Sequence, residues 1–323
     1  MFNRISLITI ATGALAFGQM TGVQQAPGSL RSAPAVGQPS NAATASPGTI
    51  NYVEGQVSVD NQPLRLGQSV ALQPGQTLST GNGFAEVLLT PGAFLRLGHN
   101  SEVRLDNSGL ADARAELNRG TALVEVDQMI QGTNLVVAMN SDKIQVEKKG
   151  LYDLNADQHT VAVLDGKVNV VEPSGSKSIG KGDELQLASE RPLKSMSFST
   201  KEVKTEPLYV WSEARGQDES RANVAVAQNV FAYGGWAGPG WYWSPYASFY
   251  SYLPGDGFLY SPFGWGFYSP RYIGFYGAPY GYYGRYGVLR GARVSGVNAH
   301  ISSFGGGAGF HAAGGFHGGG GRR

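Results

Sequence analysis

The 323-residue chain has a formal net charge of +1, 41% hydrophobic and 15% charged residues, 47 glycines and no cysteine. That length accommodates one large domain or two modest ones, and the charged fraction falls well below the usual ~25%. The missing cysteine excludes disulfide frameworks, thiolate zinc sites, iron–sulfur clusters, thiol catalysis and a cysteine-linked lipid anchor, and near-neutrality gives no general reason to expect a nucleic-acid partner.

Averages conceal three compositions. Residues 1–50 carry Arg4 and Arg31 and no acid. Residues 51–232 hold 17 basic and 23 acidic residues, a net −6. Residues 233–323 hold six Arg, no Lys and Asp256 alone among acids, a net +5, together with 25 aromatics and 25 glycines.

The first element is an export signal over residues 1–18. A basic start at Met1 to Arg4 precedes an uncharged, mostly apolar run from Ile5 to Phe17, and Ala16-Phe17-Gly18 offers small residues where a signal peptidase reads. Thirteen residues fall short of the ~20 needed to span a bilayer, so the mature chain is expected to be periplasmic, secreted or on the cell surface, without a transmembrane span. Residues 19–48, rich in Gly, Ala, Ser, Pro, Gln and Thr, read as a disordered linker.

From residue 49 to about 190 the pattern is mainly β. Tyr52 to Val59, Ala85 to Leu89, Thr121 to Asp127, Leu135 to Met139, Lys143 to Glu147 and Thr160 to Val171 alternate with period two between Gly, Asn and Asp turns. Such spacing indicates an all-β sandwich, barrel or short β-helix. In the segment after Pro91-Gly92, Ala93, Leu95 and Leu97 share one face and Arg96 lies on the other. Asp165-Gly166, between Val161–Leu164 and Val168–Val171, predicts a tight hairpin. Gly81-Asn82-Gly83 and Gly180-Lys181-Gly182 sit between strand patterns and read as turns, since a phosphate loop must feed a helix. Leu64-Arg65-Leu66-Gly67 and Leu95-Arg96-Leu97-Gly98 suggest duplicated strand–turn units.

An ordered set of short phrases runs through this stretch. It includes Gly55-Gln56-Val57, Leu78-Ser79-Thr80-Gly81, Ala85-Glu86-Val87-Leu88-Leu89, Pro91 to Gly98, Ser101 to Leu105, Leu117-Asn118-Arg119-Gly120 and Val163 to Val170. In this order they resemble FecR-type domains over roughly residues 50–190. The resemblance implies an all-β, sandwich-like extracytoplasmic module for binding or interaction. In the founding iron-citrate system such a module relays the state of an outer-membrane receptor to a sigma factor. That relay uses a cytoplasmic segment and a membrane span ahead of the β domain, whereas here four residues precede the apolar run, so direct sigma-factor control is not expected.

Residues 205–228 predict a helix opened by Pro207, where a missing N–H costs little. Leu208, Trp211 and Ala214 form a short apolar stripe, and Glu213, Arg215, Asp218, Glu219 and Arg221 a mixed charged surface. The expected role is a helix docked on the β domain with Trp211 as its packing anchor.

Residues 233–300 are rich in Tyr, Trp, Pro and Gly. Prolines 245, 254, 262, 270 and 279 recur every eight or nine residues, which predicts short extended segments joined by turns around a core of stacked rings. Residues 301–323 read as a disordered Gly-rich tail. Rings offer stacking faces and large amphipathic area, so the candidate binding residues are Trp236, Trp241, Trp243, Tyr246, Tyr260, Trp265, Tyr268, Tyr276 and Tyr280.

No catalytic motif emerges. Asp153, Asp157 and Asp165 lie near His159 in sequence, but strand and turn positions account for them, and no Ser/His/Asp order is present. The histidines at 99, 159, 300, 311 and 317 form no ligand set, so no metal or other cofactor is expected. Arg271, Arg285, Arg290, Arg293, Arg322 and Arg323 among Tyr and Gly match RNA-binding composition, yet an export signal points instead to anionic envelope polymers or Arg–ring stacking. The sequence therefore predicts a noncatalytic envelope module with a part in surface signalling, whose partner is an envelope protein or a cell-wall or surface polysaccharide. A structural or adhesive role through the aromatic tail is the alternative.

Overall fold

In the computed structural model, residues 44–64, 70–172, 175–187 and 194–277 are described. The expected export signal, residues 19–43 of the expected linker, Arg65-Leu66-Gly67, Tyr280 and everything beyond residue 277 lie outside them.

Strands dominate from the start. In chain order they are β1 (Thr49–Val59), β2 (Gln62–Pro63), β3 (Val70–Ala71), β4 (Thr77–Leu88), β5 (Ala93–Leu97), β6 (Glu102–Ser108), β7 (Asp112–Arg119) and β8 (Thr121–Val126). There follow β9 (Asn134–Met139), β10 (Asp142–Val146), β11 (Gly150–Asn155), β12 (Thr160–Asp165), β13 (Lys167–Glu172), β14 (Gly175–Gly180), β15 (Asp183–Gln186) and β16 (Ser195–Ser197). All join one sheet in the order β14-β13-β10-β9-β7-β6-β4-β5-β8-β11-β12-β15-β16, with β1 on β4 and with β2 and β3 on β1. Because β14 and β15, consecutive in the chain, stand near opposite ends of that order, the sheet curls into a nearly closed, barrel-like form. The inward residues of every long strand meet in a single core, among them Leu78, Val87, Leu95, Val124, Val137, Ile144, Leu154, Val163 and Val168.

Two turn expectations are corrected. Strands β12 and β13 flank Asp165-Gly166 but do not pair; β12 bonds β11 and β15, while β13 bonds β10 and β14. Gly166, at φ 94°, is instead a corner at which the chain leaves one part of the sheet for another. The left-handed conformation that suits a tight hairpin also suits a sharp corner, so Asp-Gly marked the bend without naming its partner. Likewise Gly81-Asn82-Gly83 is no turn. It lies inside β4, where Gly83 pairs with Gly55 at an irregularity in β1. Side chains are excluded there because a Cβ on Gly83 would strike the backbone of Glu54 and Gln56. Pro91-Gly92 and Gly180-Lys181-Gly182 do form turns, with Gly92 at φ 85° and Gly182 at φ 87°.

After β16 come α1 (Thr200–Val203) and α2 (Pro207–Tyr233), the latter with Pro207 in its first turn and Gly234 at its end at φ 82°. The aromatic region then makes two hairpins, β17 (Gly240–Ser244) with β18 (Phe249–Leu253) and β19 (Phe258–Tyr260) with β20 (Gly266–Tyr268), before α3 (Pro270–Tyr276). The prolines punctuate as their spacing suggests. Pro245 and Pro262 lie in the two hairpin loops and Pro254 follows β18, while Pro270 opens a helix rather than an extended segment.

The helix and hairpins form a cap on the outside of the barrel. Leu208 and Tyr209 of α2 pack on Leu123, Leu151 and Leu164, which project outward from β8, β11 and β12. Trp241, Tyr252 and Phe267 of the hairpins cover Leu88 and Phe94 of β4 and β5. The far half of α2, through Val226, Ala227 and Val230, packs against Tyr242, Leu253, Tyr268 and Ile273. As a result β5 is buried on both faces.

Candidate functional site

The outer faces of β1, β4, β5, β8, β11, β12 and β15 align side chains in a row set by pairing register. Tyr52 opposes Glu86, Glu86 opposes Arg96, Arg96 opposes Leu123, Leu123 opposes Asp153, Asp153 opposes Ala162, and Ala162 opposes Glu184. Helix α2 packs over this row. One group of ionisable residues is thereby enclosed between barrel and helix, and a second, half-buried to exposed, lies at the edge where the helix begins.

The first centres on Arg96, which has no solvent exposure. Its Nε donates to Glu86 at 2.7 Å, its Nη1 to Glu125, and its Nη2 to Glu219 of α2 at 3.3 Å. One planar fork thus serves three carboxyls, a task suited to arginine rather than lysine. From α2, Arg215 adds a second guanidinium, donating to Glu86 at 3.0 Å and to Glu219 at 3.3 Å. It lies between the rings of Tyr52 and Phe249, 4.1 and 4.3 Å from their centroids, so ring faces supply cation–π attraction where water is absent. Asn51 completes the group. Its amide donates to Glu86 at 2.8 Å and to the Tyr250 carbonyl at 3.0 Å, and its oxygen accepts from the Tyr250 N–H at 2.7 Å.

Close by, Asp127 is buried with neither carboxylate oxygen hydrogen-bonded to a donor in the structure. Burial first, and then the adjacent Glu125, push its carboxyl well above the ordinary range. Burial likewise raises Glu219, reinforced by the charge on Glu86. Glu86 moves the other way: burial opposes its charge, but Arg215 and Arg96 outweigh it and hold the carboxyl low.

The second group lies at the start of α2. Burial, then the carboxylates of Glu206 and Glu184, push Asp153 up to about 7. Glu206 stands at the N-cap of α2 and is itself raised by burial.

Several sequence-based expectations change here. Arg215 and Glu219 do not belong to an exposed charged surface but are 4% and 0% exposed, whereas Asp218 and Arg221 do face solvent. Ala214, assigned to the apolar stripe, is exposed. Trp211 does anchor the helix, stacked on Phe84 at 5.0 Å and donating its indole N–H to Glu54 at 2.9 Å. The Asp/His group does not converge. Asp157 accepts from the Gly120 N–H, Asp165 pairs with Lys181, His159 contacts Asn140, and Asp153 has Glu206 and Glu184 for neighbours. Among the described residues no set of three His, Asp or Glu is placed to hold a metal ion.

The candidate binding rings divide by position. Trp241 and Tyr268 are buried and build the cap, Trp241 edge-on to Phe94 at 4.6 Å. Trp265 is half-buried, with its N–H on the Glu213 carbonyl at 3.1 Å. Trp236 and Trp243 are half-buried too, against Tyr242 and Tyr250 respectively. Tyr246, Tyr260 and Tyr276 face solvent, at 82%, 56% and 77% exposure. Sequence reasoning did not single out Glu86, Arg96, Glu125 or Glu219 as one group. A signal existed: Arg96 shares its strand face with Phe94, Glu86 with Leu88, and Glu125 with Leu123, large apolar residues that mark a second buried face.

Comparison with known families decides what the barrel is. The model of the FecR protein family matches residues 76–169. The chain contains a FecR domain. That match runs from the end of the β3–β4 connection into β13, and so takes in Glu86, Arg96, Glu125 and Asp127 but neither β1 nor the cap. Two crystal structures, each of a candidate anti-sigma factor from Parabacteroides distasonis ATCC 8503, are similar to this chain at 18% and 17% identity, with TM-scores of 0.35 and 0.34. Each comparison covers 40% of this chain, and the chain spans 62% of the length of those structures. No curated protein matches. Among the described residues no helix is long and apolar enough to cross a membrane.

Proposed function

We propose that the chain is a noncatalytic binding module of the bacterial cell envelope that works in surface signalling through its FecR domain. The FecR match over residues 76–169 carries this reading. It is supported by the use of the enclosed ionisable groups, which bind one another across the barrel–cap boundary. The signal-like pattern read at residues 1–18 supports a periplasmic or surface location, and an envelope protein or surface polysaccharide is the expected partner.

Cross-linking in the native host, followed by fractionation and capture, tests this. The full chain is compared with one carrying Tyr246→Ala, Tyr260→Ala and Tyr276→Ala, which leaves the buried rings of the cap in place. Equal capture of the same envelope partner supports binding through the FecR domain. Recovery of the full chain in the cytoplasm with no envelope partner overturns it. The exposure of Tyr246 and Tyr276 favours a second reading, adhesion through surface rings, and loss of envelope retention in the triple variant alone would establish that instead.

A further inference from the structure

The buried cluster contains more acids than its bases can neutralise. Glu86, Glu125, Asp127 and Glu219 contribute four carboxyls, all at 1% exposure or less, and Arg96 and Arg215 contribute two guanidinium groups. Fully ionised, the cluster would hold two uncompensated negative charges out of water, a state that burial drives toward neutrality by proton uptake. Geometry locates the protons. Glu86 has the short bonds, at 2.7, 2.8 and 3.0 Å to Arg96, Asn51 and Arg215. Glu219 meets the same three donors at 3.3, 3.4 and 3.3 Å and also hydrogen-bonds to Glu86. Charge therefore rests on Glu86, and Glu219 holds a proton that it donates to Glu86. Asp127, with neither oxygen hydrogen-bonded in the structure, is pressed toward its neutral form by burial and by the adjacent Glu125.

We propose that α2 and the aromatic hairpins form a proton-locked cap on the FecR domain, closed when Glu219 is protonated and released as that proton is lost. The inference stands on the cluster and does not depend on the envelope reading. Glu219 is the residue that crosses the boundary. Its carboxyl lies among Asn51 of β1, Glu86 of β4, Arg96 of β5 and, through Arg96, Glu125 of β8, while Tyr52 of β1 lies against Arg215. Arg215 of its own helix completes the set, while Ser251 of β18 donates to its backbone carbonyl. Tyr52 has its phenol raised by burial and stays neutral throughout. Asp127, facing Glu125, Arg96, Lys149 and Tyr252, is the second proton site, on the barrel side. Release uncovers the apolar strip of Leu88, Phe94 and Leu123.

The sign follows from linkage. The closed state binds a proton on Glu219 that the open state gives up above the ordinary Glu range, so opening grows about tenfold per pH unit for each proton released. The native absence of cysteine makes this measurable. Ser212 of α2 is fully buried, its hydroxyl has no hydrogen-bond partner, and Ser212→Cys places one thiol on the face of α2 that carries Arg215 and Glu219. The rate of thiol labelling in the full chain, divided by that of the unfolded chain at the same pH, reads opening. We expect it to rise with pH above the ordinary Glu range, and expect Glu219→Gln, a neutral mimic that can still donate to Glu86, to remove about one tenfold step per unit. Asp127→Asn, with Glu219 intact, is expected to retain the Glu219 step. Opening independent of pH in the Ser212→Cys chain overturns the proposal, as does an unchanged slope in the Glu219→Gln chain. A Glu219→Gln chain as open at mildly acidic pH as a Glu86→Gln chain overturns it too, since a neutral side chain would then fail where a protonated one is required.

Discussion

Asn51 and Tyr250, 199 residues apart, exchange a reciprocal pair of hydrogen bonds: the Tyr250 N–H donates to Oδ1 at 2.7 Å and Nδ2 donates to the Tyr250 carbonyl at 3.0 Å. A side-chain amide thus satisfies both backbone groups of one residue in β18, and the same amide also reaches Glu86. Asn51→Ala is expected to cost about 2–3 kcal/mol, because it strands buried partners rather than only removing bonds. Urea unfolding of the full chain measures this.

Arg96→Met should be the most damaging conservative change in the barrel. It leaves Glu86, Glu125 and Glu219 without their shared cation, and loss of one member of a buried ionic group costs about 3–5 kcal/mol. Arg96→Lys should also be destabilising, since one ammonium on a flexible stem cannot reproduce a fork bonded to three separate carboxyls. The two unfolding midpoints give the ranking.

The sequence foretold the barrel well and the cap poorly, for a physical reason. Period-two alternation in β4, β5 and β8 reports one apolar face and says nothing of whether the other meets water. On that other face the polar residues, Glu86, Arg96 and Glu125, looked like ordinary solvent-facing charges. Helix α2 concealed itself likewise: the face it buries carries Ser212, Arg215, Gly216, Glu219, Ser220 and Asn223, so it shows little apolar stripe. Trp211 and Leu208 were legible because they pack as hydrophobes. The ring-built core of residues 240–268 was legible as composition, whereas its clamping by polar side chains of α2 was not.

Asn223 supplies the strongest part of that clamp. Its amide donates to the carbonyls of Tyr252 and Tyr268 at 2.8 and 3.1 Å, and its oxygen accepts from the Tyr268 N–H at 2.8 Å. One side chain thereby holds both hairpins to the helix. Asn223→Ala is expected to lose about 3 kcal/mol, with hydrogen exchange rising in β18 and β20 before the barrel strands. Asn223→Asp should be worse than Ala near neutral pH, because a carboxylate cannot donate to two carbonyls.

Asp153 provides a pH dependence separate from the Glu219 cluster. A carboxyl raised to about 7 in the folded chain contributes stability that is complete below its ordinary value near 3.8 and is lost as pH rises through about 7. Asp153→Asn should therefore flatten the decline in Tm between pH 4 and 8 and leave the variant more stable than the parent at pH 8. Glu86 acts in the acid direction: its lowered carboxyl contributes stability above the ordinary Glu value that is lost at strongly acid pH. Thermal melts across both ranges separate the two.

Gly166→Ala tests the corner between β12 and β13. The residue holds φ 94°, and a Cβ there would overlap the Tyr152 hydroxyl and the Lys149 carbonyl. That hydroxyl donates to the Lys148 carbonyl and accepts from the Lys167 N–H at 3.1 Å. The backbone conformation alone should cost about 1–3 kcal/mol, and displacement of Tyr152 adds to it. Equilibrium unfolding monitored by circular dichroism is the direct measure.

The cap that seals β5 is assembled from residues 208–267, which leave the ribosome after the whole of the sheet. Until they arrive, a strip containing Leu88, Phe94, Leu123 and Leu151 faces solvent, and the carboxyls around Arg96 lack Arg215. The nascent barrel is therefore an aggregation-prone species awaiting its own C-terminal half, and contacts spanning up to 199 residues make its closure slow. A gene product truncated at the edges of the FecR match would be frozen in that unfinished state, sticky on one side and missing its first strand.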